Sequence, residues 1–184
     1  VGFWGRHADF HRTNVTGTRH VIDACLDNGV QRLIYTSSPS VTMNNVDIHN
    51  GDESLPYPAH YHSHYSATKA EAERYVLAAN GRNGLVTTAI RPHLILGPRD
   101  NHLIPRLLDK ARRGRLRQIG PGTNKVSVVY VENAAHAHLL AADSDNVGGK
   151  AYFINEAEPL LLWPWINSML VRLDLKPARR KVPF

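Results

Sequence analysis

The sequence predicts an α/β protein built on a doubly wound parallel sheet, and three observations carry that prediction. A strand-like run, Arg32-Leu-Ile-Tyr-Thr36, a helical stretch from Tyr65 to Asn80-Gly81 and a second strand-like run, Leu85-Val-Thr-Thr-Ala-Ile90, follow one another along the chain. Strands alternating with helices build parallel sheets. The first run ends in the hydroxyl pair Ser37-Ser38 and the second in Arg91-Pro92, and the carboxyl ends of strands are where such sheets bind ligands. A chain of 184 residues that is 42% apolar and 21% charged can also bury a real core.

The opening Val1-Gly-Phe-Trp-Gly-Arg-His-Ala8 contains a G-x-x-G-x-x-A spacing. It is not a dinucleotide loop, because such a loop needs a strand ahead of it to present its N–H groups at a helix N-terminus, and only Val1 precedes Gly2. The segment reads as a loop entering a helix from Asp9 to Asn28, with Asn14, Thr18, Val21 and Cys25 on one stripe, Ile22 and Leu26 beside it, and Gly29 as the stop. From Met43 to His64 the chain is a polar loop bearing Pro and His. Tyr65, Lys69, Ala72, Val76 and Ala79 then form the buried stripe of the next helix. Leu103 to Arg113 reads as an amphipathic helix, Leu116 to Ile119 and Val126 to Val131 as strands, Asn133 to Ala142 as a helix, Ala151 to Asn155 as a strand and Leu161 to Leu173 as a helix. Gly120-Pro-Gly-Thr-Asn-Lys125 joins strand to strand, so it reads as a hairpin-type turn.

Tyr65 and Lys69 lie four residues apart, which on a helix places them on one face, one turn apart. A phenol has a reference pKa of about 10, and a neighbouring ammonium lowers it by favouring the phenolate. Tyr65 is therefore a candidate general acid or base with Lys69 as its tuner. Ser38, after the strand, is the candidate hydroxyl that binds a substrate oxygen and stabilises developing charge, with Ser37 and Ser40 in support.

The formal charge of +6 is concentrated in Arg112-Arg-Gly-Arg-Leu-Arg117 and Arg179-Arg-Lys181. These clusters lack the interleaved aromatics of a single-strand binder and any zinc-finger spacing, which argues against nucleic acid as partner. His60-Tyr-His-Ser-His64 has no carboxylate or Cys at ligand spacing, so no metal is expected. No run of 18 apolar residues is present, so no membrane span is expected, and no signal peptide pattern is visible. The single cysteine, Cys25, cannot form an internal disulfide, which points to a reducing, cytoplasmic setting.

The series Ser37-Ser38, Tyr65-Ser-Ala-Thr-Lys69 and Arg91-Pro92 resembles the extended short-chain dehydrogenase/reductase superfamily over nearly the whole chain. The resemblance implies a Rossmann-like fold that binds NAD or NADP, with Ser38, Tyr65 and Lys69 as the catalytic set. It implies that Asn14, in Asn14-Val-Thr-Gly-Thr18, packs near the cofactor and orders the lysine or the ribose. Ser37, Tyr65, Lys69 and the segment Pro92, His93 and Leu94 complete the implied cofactor contacts, and Ser40, Val41 and Thr42 the substrate contacts. Residues 1–100 would be the dinucleotide-binding part and 101–184 mainly a substrate lobe interleaved with it. The two long helices imply a homodimer, and a multi-enzyme assembly is a further implied partner.

Sugar-nucleotide epimerases of the superfamily carry Val-Tyr-Gly after the serine segment, where this chain has Val41-Thr-Met43. Thr87-Thr-Ala-Ile-Arg-Pro-His93, Gly97-Pro-Arg-Asp100, Tyr130-Val-Glu-Asn-Ala134 and Gly149-Lys-Ala-Tyr-Phe-Ile-Asn155 instead resemble the 3β-hydroxysteroid dehydrogenase branch. Within it, Tyr35-Thr-Ser-Ser-Pro-Ser-Val-Thr42 and Asn124-Lys-Val126 are most similar to 2-alkyl-3-oxoalkanoate reductases of bacterial long-chain hydrocarbon biosynthesis and to sterol-4α-carboxylate 3-dehydrogenases. The expected substrate is a lipid-like 3-oxo or 3-hydroxy acid, or a 3β-hydroxysteroid. The alternatives are a sugar-nucleotide epimerase or dehydratase with the same residues and a non-catalytic interaction module. The superfamily opens with a glycine-rich unit, so roughly two units of about 30 residues are expected ahead of Val1, and further chain after Phe184.

Overall fold

The computed structural model describes residues 5–44 and 46–183. Of the segment read as an entry loop, Val1 to Trp4 lie outside the described residues. The first helix, α1, is composite: an α-helical turn His7–Phe10, a π-helical stretch His11–Thr16 and an α-helix Gly17–Asp27. There follow β1 (Arg32–Thr36), α2 (His64–Ala78), β2 (Val86–Pro92), β3 (Leu94–Leu96) and α3 (Leu103–Arg112). Next come β4 (Gln118–Ile119), β5 (Lys125–Val126), β6 (Val128–Tyr130) and α4 (Val131–Asp143). The chain continues with β7 (Ala151–Ile154), β8 (Leu160–Leu161), α5 (Leu162–Arg172) and β9 (Lys181–Val182). The described residues divide into two compact units, one running to His93 and resuming over Asn133–Ile154, the other comprising Leu94–Glu132 and the residues from Asn155 on.

The first unit holds a parallel sheet in the order β1-β2-β7. β1 pairs with β2 from Arg32↔Val86 to Thr36↔Ile90, and β2 with β7 from Ala89↔Ala151 to Pro92↔Ile154. Side chains alternate across a strand. Leu33 and Tyr35 therefore share the face on which α1 and α2 close a core of Ile22, Val76 and Ala79. Thr36 points to the other face, where its hydroxyl meets His138 Nε2 of α4 at 2.8 Å. Arg32 reaches the same side, bonding the Ser144 carbonyl and Asp145 Oδ1. Helices thus cover both faces, as a doubly wound sheet requires.

One detail of the predicted α1 stripe is corrected. Phe10, Val15, Ile22 and Cys25 are the buried positions, and Ile22 takes the inward place four residues after Thr18 and three before Cys25. Val21, expected on the stripe, lies one residue off it, about 100° round the helix, and is 50% exposed. The α2 stripe holds throughout: Ala72, Val76 and Ala79 are buried and Tyr65 and Lys69 half-buried.

The second unit packs α3 and α5 around Leu116, Trp163, Ile166, Leu170 and Ala178. β3 pairs in parallel with β6, β4 in parallel with β9, and β5 antiparallel with β8. The expected hairpin at Gly120 to Lys125 is thereby corrected, because β4 and β5 pair with other strands and not with each other. The segment is a turn closed by its own neighbour: Gln118 Nε2 donates to Gly120 O and Pro121 O, and Gly120 and Gly122 take the left-handed φ values of 68° and 86°.

Leu170 is 0% exposed at the centre of this second core. Leu170→Ala is expected to cost about 2–5 kcal/mol in denaturant unfolding; a loss below about 1 kcal/mol would mean that this core does not hold the unit.

Candidate functional site

The site is built where β1 ends. Ser37 continues the strand by donating its N–H to Ile90 O at 2.7 Å, and its side chain is buried, with an Oγ that has no hydrogen-bond partner among the described residues. Ser38 is extended and caps the short 3-10 helix Pro39–Val41, its Oγ accepting from Ser40 N at 3.2 Å and lying 2.9 Å from Ser40 Oγ. The two hydroxyls therefore form one pair. Val41 is fully buried, and its carbonyl accepts from the Tyr61 hydroxyl at 2.9 Å. Thr42, also buried, donates its hydroxyl to Pro39 O at 3.1 Å.

Ser63 starts α2 by accepting from Ser66 N at 3.0 Å, which places Tyr65 in the first turn. The Tyr65 ring meets Phe10 of α1 edge-on, with centroids 6.5 Å apart. One turn on, Lys69 Nζ donates to Thr36 O at 2.6 Å and sits 4.1 Å from the centroid of the Tyr35 ring. This links Lys69 to the strand end two residues before Ser38. Burial lowers the Lys69 pKa from 10.5 to about 8, and the nearby Glu73 carboxylate acts in the opposite direction. Burial likewise pushes the Tyr35 phenol far up, so the ring beneath the ammonium stays neutral.

Asn14 lies in the π-helical stretch. Its Nδ2 donates to Thr68 Oγ1 at 2.9 Å, and that hydroxyl donates onward to His64 O at 2.7 Å. Asn14 is thus fastened to the residue preceding Lys69. π-Turns recur at functional positions, because the extra residue re-aims a side chain.

Pro92 closes β2, and His93 N donates to Ile154 O at 2.9 Å. Burial lowers the His93 pKa, and its ring lies 5.6 Å from that of Phe153. Leu94 belongs to the second unit, where it opens β3 and is 36% exposed. Among the described residues no three His, Cys, Asp or Glu side chains are grouped so as to hold a metal ion.

One cluster was not anticipated from the sequence. Glu73 on α2 and Arg91 on β2 are 0% and 3% exposed, and Arg91 grips the carboxylate with Nε to Oε2 at 3.1 Å and Nη2 to Oε1 at 2.6 Å. Tyr57 donates its hydroxyl to the same Oε1 at 2.6 Å. A signal for the pair was present: a carboxylate among Ala70, Ala72 and Val76 on a buried helix face demands a cation, and Arg91 ends a buried strand. Tyr57, between two prolines in a loop, carried none.

As chemistry, the arrangement offers a phenol with an ammonium one turn away, a serine hydroxyl pair and a buried hydroxyl at the carboxyl end of a parallel sheet. That set can move a proton to or from an oxygen bound at the serine.

Comparison with known proteins shows the family. The profile of the 3-beta hydroxysteroid dehydrogenase/isomerase family matches residues 5–183. The chain is 47% identical to 3beta-hydroxysteroid-dehydrogenase/decarboxylase isoform 2 of Arabidopsis thaliana, over 94% of its own length and 32% of that protein's. It is 45% identical to 2-alkyl-3-oxoalkanoate reductase of Stenotrophomonas maltophilia, over 100% of its length and 57% of that protein's. It therefore spans from 32% to 57% of the length of these relatives. In fold it is similar to a dTDP-glucose 4,6-dehydratase of Streptomyces venezuelae solved with NAD bound, at a TM-score of 0.79 and 24% identity, over 100% of this chain and 59% of that one. With the whole described core matched, the chain belongs to the 3-beta hydroxysteroid dehydrogenase/isomerase family.

Proposed function

We propose that the protein containing this chain is a nicotinamide-dependent oxidoreductase that interconverts a secondary alcohol and a ketone on a lipid-like 3-oxo or 3-hydroxy acid or a 3β-hydroxysteroid. One observation carries the reading. The Lys69 ammonium is held by Thr36 O against the Tyr35 ring, one turn from Tyr65, at a lowered pKa of about 8. A lysine whose only task was to cover a surface would not be desolvated in this way.

In the reducing direction Tyr65 gives its proton to the substrate oxygen while Ser38, with Ser40 beside it, donates a hydrogen bond to that oxygen. In the oxidising direction Tyr65 takes the proton back. The Lys69 ammonium, one helical turn from Tyr65, stabilises the negative charge that develops on the phenol oxygen as its proton leaves. NAD or NADP, when bound, supplies or accepts the hydride. The residues fit its nicotinamide–ribose half: Ser37 Oγ is buried with no hydrogen-bond partner among the described residues, and the Lys69 ammonium is bonded to the carbonyl of Thr36, the residue before it. Asn14, Ser37, Tyr65, Lys69, Pro92, His93 and Leu94 are the proposed cofactor contacts. Ser40, Val41 and Thr42 are the proposed substrate segment, Val41 and Thr42 being buried behind Ser40.

The substrate class is supported by the names of the relatives, which include the sterol-4-alpha-carboxylate 3-dehydrogenase of Homo sapiens at 43% identity. The sugar-nucleotide alternative rests on fold likeness at 24% identity and lacks the expected motif at Val41-Thr-Met43. Residues 1–100 are assigned to cofactor binding and 101–184 mainly to the substrate lobe. A homodimer through α1 and α2 is supported by Val21 and Tyr75, which are 50% and 39% exposed on those helices. A cytoplasmic setting is supported by the buried free thiol of Cys25.

Tyr65→Phe in the whole enzyme is expected to lower turnover by about 10²–10⁴ while leaving the cofactor dissociation constant within about twofold; a variant keeping more than about a third of its activity would remove Tyr65 from this role. Ketone reduction is expected to weaken as pH rises through about 8, where Lys69 loses its proton. Stability moves oppositely. Between about 8 and 10.5 the unfolded chain binds the extra proton, so the folded state gains on it as pH rises. A pH–rate profile flat to about pH 10 would contradict the assignment of Lys69. Turnover of a UDP-sugar, with none of a 2-alkyl-3-oxo acid or a 3β-hydroxysterol, would overturn the substrate class.

A further inference from the structure

We propose that the buried Glu73–Arg91 pair, with Tyr57 bonded onto it, is a positioning device that holds Tyr65 and Lys69 in register with the end of β2. The inference deepens the oxidoreductase reading and rests on it. Stability alone gives a weak reason for such a pair, because burying two charges sacrifices hydration that their attraction only partly restores, and apolar side chains of similar volume often serve as well. What an ion pair adds is direction.

Direction is what the apolar contacts between α2 and the sheet lack. The buried residues of α2 are Thr68, Ala70, Ala72, Glu73 and Val76, so apart from Glu73 the helix presents short side chains. Short side chains give weak ridges, and a helix packed by them has little to stop it shifting along a strand. The Arg91 fork is planar and grips both carboxylate oxygens at 3.1 and 2.6 Å, which fixes the rotation and the axial position of the helix together. Thr87 Oγ1, donating to Val76 O at 2.7 Å, fastens the helix one turn further along.

Glu73 stands four residues after Lys69 and eight after Tyr65. At a rise of 1.5 Å per residue these are about 6 and 12 Å along one stiff helix, so fixing Glu73 fixes the phenol and the ammonium. Arg91 is the residue before Pro92, one of the proposed cofactor contacts. The pair therefore spans the acid-bearing helix and the cofactor-bearing strand end. Tyr57 adds a third component, because its hydroxyl donates to Glu73 Oε1 at 2.6 Å while Tyr61, four residues on, donates to Val41 O at 2.9 Å. The loop is thus pinned to the helix by one tyrosine and to the serine segment by the other. The pair is neutral as a unit, so it sets geometry without adding net charge. A misplacement of about 1 Å in a reacting group can cost about 10²-fold in rate, which is the scale on which such a device matters.

The test replaces both charges at once in the whole enzyme. Glu73→Leu/Arg91→Met keeps the volume and the net charge and leaves neither ion unpaired, so folding, followed by the melting temperature, is expected to survive. If the pair positions the site, kcat falls at least tenfold while KM and the cofactor dissociation constant stay within about threefold. A folded double variant with more than half of wild-type kcat overturns the proposal. Should the double variant not fold, Tyr57→Phe decides: kcat at least threefold lower with KM unchanged supports the device, and unchanged kcat overturns it. Tyr65→Phe measured alongside separates the two readings. If that variant stays active the oxidoreductase assignment fails, whereas if it is dead while Glu73→Leu/Arg91→Met turns over normally only the positioning claim fails.

Discussion

The arrangement depends on one half-buried ammonium. Lys69 Nζ is taken partly out of water, given the Thr36 carbonyl at 2.6 Å and the Tyr35 ring face at 4.1 Å, and left with a pKa of about 8. A carbonyl dipole and a ring quadrupole both favour a cation, but neither replaces a full hydration shell, and so the proton is held less tightly than in water. A charge in that condition acts strongly on whatever titrates beside it. The fold contributes the rest, because a parallel sheet sandwiched between helices places strand ends, where carbonyls run out of partners, next to the first turns of the following helix.

Keeping the ammonium there requires that α2 stay in place, and three separate contacts do this at different points along it. Asn14 reaches from the π-helical stretch of α1 to Thr68, Glu73 meets Arg91 from β2, and Thr87 reaches Val76 O from the same strand. Each is polar and directional, and each falls on or beside the Tyr65–Lys69 face. The apolar contacts of Ile22, Val76 and Ala79 supply cohesion without specifying register. Uniform hydrophobic packing stabilises a fold, but it is the polar contacts that select one arrangement among near neighbours.

The sheet and the stripe that carries Tyr65 and Lys69 were legible because they follow simple periods. Arg32 to Thr36 and the run ending at Pro92 read as strands and are β1 and β2, and the stripe Tyr65, Lys69, Ala72, Val76 and Ala79 faces inward as its spacing of 4, 3, 4 and 3 demands. What periodicity misses is a change of period. The π-helical stretch His11–Thr16 carries no Gly or Pro to announce it. Long-range pairing is equally silent in a single sequence: that β4 joins β9 rather than β5 depends on contacts more than 60 residues apart, as in Gln118↔Lys181. The Glu73–Arg91 pair lay between these cases, since a carboxylate on a buried stripe asks for a cation without saying which one.

The central claim, that burial at the end of β1 tunes Lys69 for work on Tyr65, is tested most directly by titrating Lys69 itself. Isotope-labelled side-chain NMR on the folded protein, with the Lys69 signal assigned by its loss in Lys69→Met, would follow the ammonium as pH rises. The expected midpoint is about 8. A midpoint near 10.5, the value of a solvated lysine, would contradict the claim.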